Sequence, residues 1–112
     1  MKPIQWLGSS RADVRAFPAD ARRVAGFQLH LVQLGHEPND WKPFRGVGPG
    51  VREIRVHTGL ERRVVYVANF ADAVYVLHAC AKKSAKTPQR EVDVARARFH
   101  SLLAERRGTH GR

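Results

Sequence analysis

The spacing of apolar residues changes at about residue 50, and this change most restricts what the chain can fold into. Before it, apolar residues recur every three or four positions, as on one side of a helix; they are Val24, Phe27, Leu31 and Leu34, widened by Leu29 and Val32. After it, Ile54 and Val56 alternate with Glu53, Arg55 and His57, as in a strand. A chain with both periods must pack helices against a sheet.

Local signals delimit the first half of the chain. Lys2–Leu7 can form a short strand, and Ser9–Phe17 a brief helix that one of its first serines caps. A longer helix begins at Pro18, because proline suits the first helical turn, and stops at Gly35. His36–Gly50 contains three prolines and three glycines and is predicted as a loop.

The second half of the chain predicts a meander followed by a helix. Arg62–Ala68 and Ala73–Ala81 are rich in β-branched and aromatic residues, and a short turn joins them. Both contain apolar residues of either parity, which predicts a sheet covered at least partly on both faces. Thr87 and Pro88 then begin a last helix that runs to Gly108. Its apolar side is formed by Val92, Ala95, Phe99 and Leu102.

The predicted fold class is α+β: a short N-terminal strand, two helices, a three-stranded antiparallel meander and a C-terminal helix. The length of 112 residues fits one domain, residues 1–112, with a flexible tail at about 107–112. The net charge of +10 and the pI near 11.1 favour an anionic partner. No apolar run reaches the roughly 18 residues of a membrane span. Neither a signal peptide nor paired cysteines are present, so we expect a cytoplasmic protein.

The cations concentrate where the predicted strands begin or end. Arg55 lies on the second predicted strand, Arg62 and Arg63 open the third, and Lys82 and Lys83 close the fourth, with Lys86 in the following loop. Neighbouring strands are about 4.8 Å apart, so these groups can converge on one patch that suits a phosphodiester. The alternative is a solvated rim, in which charged strand ends discourage aggregation.

Other chemical motifs are weaker. The six histidines show no metal-ligand spacing and there is no second cysteine beside Cys80, so no metal site and no cofactor are predicted. His78 is interpreted as a hydrogen-bonded core residue and Cys80 as a buried small hydrophobe. His57 shares the parity of Arg55 and can titrate near neutrality. The segment Gly46–Gly50 lacks the lysine of a phosphate-binding loop.

Several segments together resemble a known toxin family. The order of elements, with "GVREIRVH", "RRVVYVA", "YVLHACAKKSAKTP" and "EVDVARARF", is similar to the RelE/ParE superfamily of type II toxin–antitoxin systems. "SSRADVRAFP" and "VQLGHEPNDWKPFRGVGPGV" place the resemblance nearest its phage-derived Gp49-like, HigB-type branch. The resemblance spans about Trp6 to Phe99.

The resemblance implies a ribosome-dependent endoribonuclease that cuts translated messenger RNA. Its catalytic cations correspond to Arg55, Arg63 and Lys83, with Lys82 beside the last. Glu53 stands where RelE has a lysine, and the last helix lacks the RelE tyrosine, so the proton-transfer group stays open between the lysines, Glu53 and His57. Lys86, Arg62 and Arg90 are expected to bind RNA or the ribosome.

The resemblance also implies partners: a cognate antitoxin, expected to be HigA-type with a helix-turn-helix, the ribosome and messenger RNA, and no membrane. Two rival functions remain open. A ParE-like toxin of the same fold would inhibit DNA gyrase without cutting RNA. A non-catalytic RNA-binding domain would need exposed aromatic residues for base stacking, whereas Tyr66 and Tyr75 are expected to be packed.

Overall fold

The computed structural model describes residues 1–81 and 86–110, which form three helices and one sheet. The elements follow the chain in the order β1 (Ile4–Trp6), α1 (Ser10–Arg15), α2 (Ala19–Gln33), β2 (Trp41–Pro43), β3 (Val51–Thr58), β4 (Leu60–Val67), β5 (Val74–Ala81) and α3 (Gln89–His110). The predicted mixed α+β class, with a C-terminal helix, is confirmed. None of the helices in these residues combines the length and apolarity that a membrane crossing requires.

The described strands form a five-stranded sheet in the order β1-β5-β4-β3-β2. β1 pairs with β5 in parallel, and every other neighbouring pair is antiparallel. Between β3 and β4 the chain reverses at Gly59, whose φ of 78° lies in the left-handed region that glycine adopts without steric cost. A register shift beside Val65 and Tyr66 interrupts the pairing of β4 with β5.

The sheet is larger than the predicted three-stranded meander. β2 lies inside His36–Gly50, the segment predicted as a loop, and extends the sheet beyond β3 through the pair Trp41↔Ile54. A strand of three residues that ends in proline has no readable alternation, so its formation depends on the partner strand. β1, predicted as a separate short strand, joins the opposite edge.

Helices cover both faces of the sheet, as the mixed parity of the strands predicts. On one face α1 and α2 pack over Ile54, Val64 and Val76. On the other, here called the α3 face, α3 packs over Val65 and Leu77, among others. The side chains on the α3 face come from the odd-numbered residues of β3 and β4.

The apolar stripe predicted for α2 is wrong at two of its four members, Phe27 and Leu34. Phe27 and Leu34 are 55% and 49% exposed, whereas Ala21 and Ala25 are completely buried. α2 therefore turns a side with small residues toward the sheet, which allows the two backbones to approach closely. Leu29 and Val32, predicted only to widen the stripe, belong to the core instead.

α3 buries the side that its sequence predicts. Ala95, Phe99 and Leu102 are 1–5% exposed and pack on the α3 face. The helix continues through His110 and so includes residues 107–110, where the sequence predicts the start of a flexible tail. Because α3 covers the apolar end of the α3 face, a polar end is left beside it, and this end holds most of the predicted site residues.

Candidate functional site

Strand pairing arranges the polar end of the α3 face in cross-strand rows. The first row consists of Lys42, Glu53, Val65 and His78. The second consists of Arg55, Arg63 and Cys80. The third consists of His57 and Glu61. Four residues predicted from the sequence, Glu53, Arg55, His57 and Arg63, are thus brought together on one face of β3 and β4.

Arg63 and Glu53 form a buried ion pair at the centre of these rows. Arg63 Nη1 lies 3.1 Å from Glu53 Oε2, and the two side chains are 2% and 1% exposed. Lys42 Nζ approaches the other carboxylate oxygen at 3.5 Å. Arg63 Nε is buried and lacks a hydrogen-bond acceptor within the described residues. The guanidinium is therefore held rigidly and retains an unused donor.

Arg55 belongs to a second, more exposed network. Its Nε and Nη2 both lie 3.0 Å from Asp40 Oδ1. The other oxygen of Asp40 contacts His57 Nε2, and His57 Nδ1 lies 2.9 Å from Glu61 Oε1. Arg55 and His57 are 32% and 47% exposed, so solvent reaches this network.

The network changes the pKa values of its members. Hydrogen bonds to Asp40 and then to Glu61 raise the pKa of His57, because both carboxylates favour the imidazolium. Burial alone would raise the pKa of Asp40, but hydrogen bonds from His57 and Arg55 outweigh it and lower that pKa. His57 therefore gains positive charge at a higher pH than an ordinary histidine does.

A third cluster lies where β5 meets the first turn of α3. His78 Nε2 contacts Glu91 Oε2, and Cys80 lies near the same carboxylate. Burial, and next the charge of Glu91, raise the pKa of the Cys80 thiol to about 12. His78 is 8% exposed, as expected for a hydrogen-bonded core residue.

A groove of about 560 Å³ runs between β2 and the start of α3, beside Glu53. Lys42, Lys86 and Arg96 line it together with Thr87. The groove therefore offers several cations next to the buried ion pair.

The remaining predicted residues are less closely grouped. Arg62 lies on the opposite face of β4, where its guanidinium carbon is 5.5 Å from the centre of the Phe17 ring, so it does not join Arg55 and Arg63. Arg90 is 84% exposed in the first turn of α3. Lys82 and Lys83 lie outside the described residues. The expectation of an open cationic surface at Arg63 is wrong, because Glu53 pairs with it beneath the surface.

Sequence reasoning overlooked the carboxylates that hold these cations. Asp40 lies in the predicted loop, where no period indicates which way a side chain points. Glu91 lies in the first turn of α3, where an acidic residue already suits the positive end of the helix. Its contact with His78 joins residues thirteen positions apart on different elements. No local pattern encodes either contact.

The two strand tyrosines are not arranged for base stacking. Tyr66 and Tyr75 are 1% and 9% exposed, which confirms that both are packed. This weakens the case for a non-catalytic RNA-binding domain, since such domains stack bases on exposed rings.

Comparison with known proteins identified one family. The model of the family described as phage derived protein Gp49-like (DUF891) matches residues 12–100. The matched residues contain β2–β5 and the polar rows of the α3 face. No curated protein matches the chain.

Proposed function

The chain belongs to the phage-derived Gp49-like family, which is part of the RelE/ParE-like toxin group, and from this premise we propose that it is the toxin of a type II toxin–antitoxin pair. We further propose that it acts as a HigB-type messenger RNA interferase, an endoribonuclease that cuts messenger RNA during translation. Its substrate would then be single-stranded message held by the ribosome.

The observation that carries the nuclease proposal is the pairing of Arg55 with Arg63. The two arginines are cross-strand partners. On the same face, Glu53 lies in the row before them and His57 in the row after them. Permanently charged guanidinium groups suit a phosphate on which negative charge builds up during the reaction. Lys82 and Lys83, which follow β5 directly, complete the proposed set of catalytic cations.

The proposed reaction needs no metal ion. The 2′-hydroxyl attacks the neighbouring phosphorus, the new O2′–P bond forms, and the bond to O5′ breaks, leaving a cyclic phosphate and a free 5′-hydroxyl. A base takes the 2′-hydroxyl proton and an acid gives one to O5′. Glu53 is a candidate base, because a phosphate that replaced it on Arg63 would free its carboxylate. His57 is a candidate acid, since its raised pKa keeps it protonated closer to neutral pH.

Binding of the message requires exchange of partners at both arginines. A phosphate that approaches the buried Arg63 must displace Glu53, and one that binds Arg55 through Nε and Nη2 must displace Asp40. Arg90 and Lys86, beside the groove, are proposed to bind flanking RNA or the ribosome. Arg62, on the opposite face, is proposed to contact the ribosome instead.

The proposed partners follow from the charge of the chain. The net charge of +10 suits the ribosome, and it equally suits acidic segments of a cognate antitoxin, proposed to be HigA-type with a helix-turn-helix. Translating ribosomes are the proposed target, so the proposed location is the cytoplasm.

A ParE-like inhibitor of DNA gyrase is the second candidate. The buried state of Arg63 favours it, because a guanidinium that is 2% exposed and already neutralised is not presented to RNA. The nuclease proposal therefore requires the ion pair between Arg63 and Glu53 to break, whereas the ParE-like function does not.

Two assays on one preparation distinguish the candidates. Purified protein is added to translating ribosomes and, separately, to a gyrase supercoiling reaction. The nuclease proposal expects cleaved message with 5′-hydroxyl ends, and a loss of at least about 100-fold in the cleavage rate for Arg55→Ala. Arg11→Ala, which removes an exposed arginine from α1, is the matched control and should cleave normally. Intact message together with inhibited gyrase would overturn the nuclease proposal and support the ParE-like function.

A further inference from the structure

His78, Cys80 and Glu91 form a cluster that the proposed nuclease chemistry does not use. His78 and Cys80 are two positions apart on β5 and share the α3 face, since they pair with Val65 and Arg63 of β4. Glu91 reaches them from the first turn of α3. One ligand atom from each, the imidazole Nε2, the thiol Sγ and a carboxylate oxygen, lies within 4.8 Å of both others.

We propose that these three side chains bind one zinc ion, with a water molecule as the fourth ligand. A set of imidazole nitrogen, thiolate sulfur and carboxylate oxygen suits zinc, whereas magnesium and calcium prefer oxygen ligands alone. Three protein ligands and one water are a common zinc coordination. The ion would be balanced by the two negative charges of thiolate and carboxylate.

The cluster needs only small movements to hold zinc: the directly contacting atoms of His78 and Glu91 must separate, and the most distant ligand atoms must approach each other. Bonds of about 2.0–2.3 Å in a tetrahedral site put ligand atoms roughly 3.5 Å apart. The present separations reach at most 4.8 Å, so the required movement is about 1 Å. Glu91 can supply it because it is 20% exposed and lies at a helix end, whereas β5 is fixed between β1 and β4.

The surroundings of His78 set one condition on this proposal. Zinc at Nε2 leaves the imidazole proton on Nδ1, and Arg98 Nη1 lies 3.4 Å from that atom. This long contact with His78 must then be given up, and Arg98 keeps other acceptors, because Nη1 donates to the Leu77 carbonyl at 2.9 Å and Nη2 donates to Ser9 Oγ at 3.1 Å. The bond between His78 and Glu91 is exchanged for two bonds to the metal.

Zinc at this position would tie the first turn of α3 to β5. It would also lie beside Arg63, the cross-strand partner of Cys80. The site is thus separate from the groups proposed to act on RNA but adjacent to them. This inference rests on the three ligands and remains valid whichever toxin activity the chain has.

Cobalt titration of the full-length protein tests the proposal. The protein is stripped with a chelator under reducing conditions and titrated with Co²⁺, which substitutes for zinc and is visible. We expect one equivalent to bind and to give a near-ultraviolet thiolate-to-cobalt charge-transfer band, which Zn²⁺ then abolishes. Absence of that band in folded protein would overturn the proposal. A site at His57 would lack this band, because it has no sulfur.

Substitutions identify the ligands. Cys80→Ser should remove the band. Loss of a residue that only supports a metal ligand typically weakens metal binding about 10–100-fold, and Glu91→Gln should weaken it by more than that. Asp93→Asn, which changes a 60% exposed carboxylate two residues from Glu91, is the matched control and should bind as the wild type does. Circular dichroism of each apoprotein checks folding. Unchanged affinity in folded Glu91→Gln, or an unchanged band in Cys80→Ser, would contradict the assignment.

Discussion

Arg55 and Arg63 lie directly opposite each other on β3 and β4, and each is paired with a carboxylate of its own. Asp40 pairs with Arg55 near the surface, and Glu53 pairs with Arg63 in the interior. Like charges opposite each other on neighbouring strands would otherwise be destabilising. The two carboxylates therefore stabilise the fold, and under the proposed function they must also yield to phosphate.

The buried pair should dominate the electrostatic part of the stability. Glu53→Gln leaves Arg63 charged and unpaired in the interior, so we expect a loss of about 3–5 kcal/mol in the free energy of unfolding. Urea denaturation measures it. Glu37→Gln, which breaks the exposed contact between Glu37 and Arg52, is the control and should cost no more than about 1 kcal/mol. Equal losses in the two variants would contradict a buried, rigid pair.

His57 should make the stability decline as the pH rises above 6.5. Its pKa is raised in the folded state, because Asp40 and Glu61 bind the imidazolium. Its contribution is complete below the unfolded value of 6.5 and is lost as the pH rises through the raised value. Since the side chain is 47% exposed, we expect a change of less than about 1 kcal/mol.

Urea denaturation at several pH values between 6 and 9 checks this prediction. His57→Gln should flatten the decline in stability as the pH rises. His30→Gln, which removes an exposed histidine from α2, is the matched control. A decline of the same size in His57→Gln as in the wild type would assign the effect to another group.

Asp40 should compete with RNA for Arg55. Asp40→Asn removes the charge that Arg55 and His57 share, so we expect tighter binding of a short single-stranded RNA at fixed salt. Arg55→Gln should weaken RNA binding. It should also reduce the slope of the logarithm of the binding constant against the logarithm of salt concentration by about one phosphate contact. Fluorescence anisotropy over a salt series measures both. Asp20→Asn on α2 is the control, and tighter binding there would show a general charge effect.

The contact between Gly48 and Phe99 should tolerate no side chain. A Cβ at Gly48 would lie 2.3 Å from an atom of the Phe99 ring, which is buried. We expect Gly48→Ala to cost about 1–3 kcal/mol in the free energy of unfolding, as overpacking does. Gly26→Ala is the opposite control: nothing lies within 4 Å, and alanine favours a helix interior by about 0.5–1 kcal/mol. In thermal denaturation, the melting temperature should therefore fall for Gly48→Ala and rise for Gly26→Ala.

The sequence predicts those parts of the fold whose period is long enough to read. β3, β4 and β5 are eight residues long each and are rich in β-branched residues, and α3 repeats its apolar side from Ala95 to Leu102. β2 has three residues and no period of its own. For α2 the period was correct but the buried side was not, because the helix contains apolar residues on more than one side and close approach to the sheet selected the alanines.

The candidate site was predictable in its cations and not in their partners. The shared parity of Glu53, Arg55 and His57 fixes their common face, and strand pairing then adds Arg63. Asp40 and Glu91 reach the site only through tertiary folding. Asp40 belongs to an irregular segment, and Glu91 belongs to α3, which packs on the sheet from a distant part of the sequence. The predicted open patch of charge is therefore a set of neutralised pairs, which no count of basic residues reveals.

Ile4 pairs with Val74 in the parallel contact of β1 with β5, so the first strand has no place in the sheet until most of the chain has been synthesised. The helix that closes the α3 face follows later still. The edge of the sheet at β5 and the cover of the α3 face are therefore completed only when the C-terminal half of the chain is available.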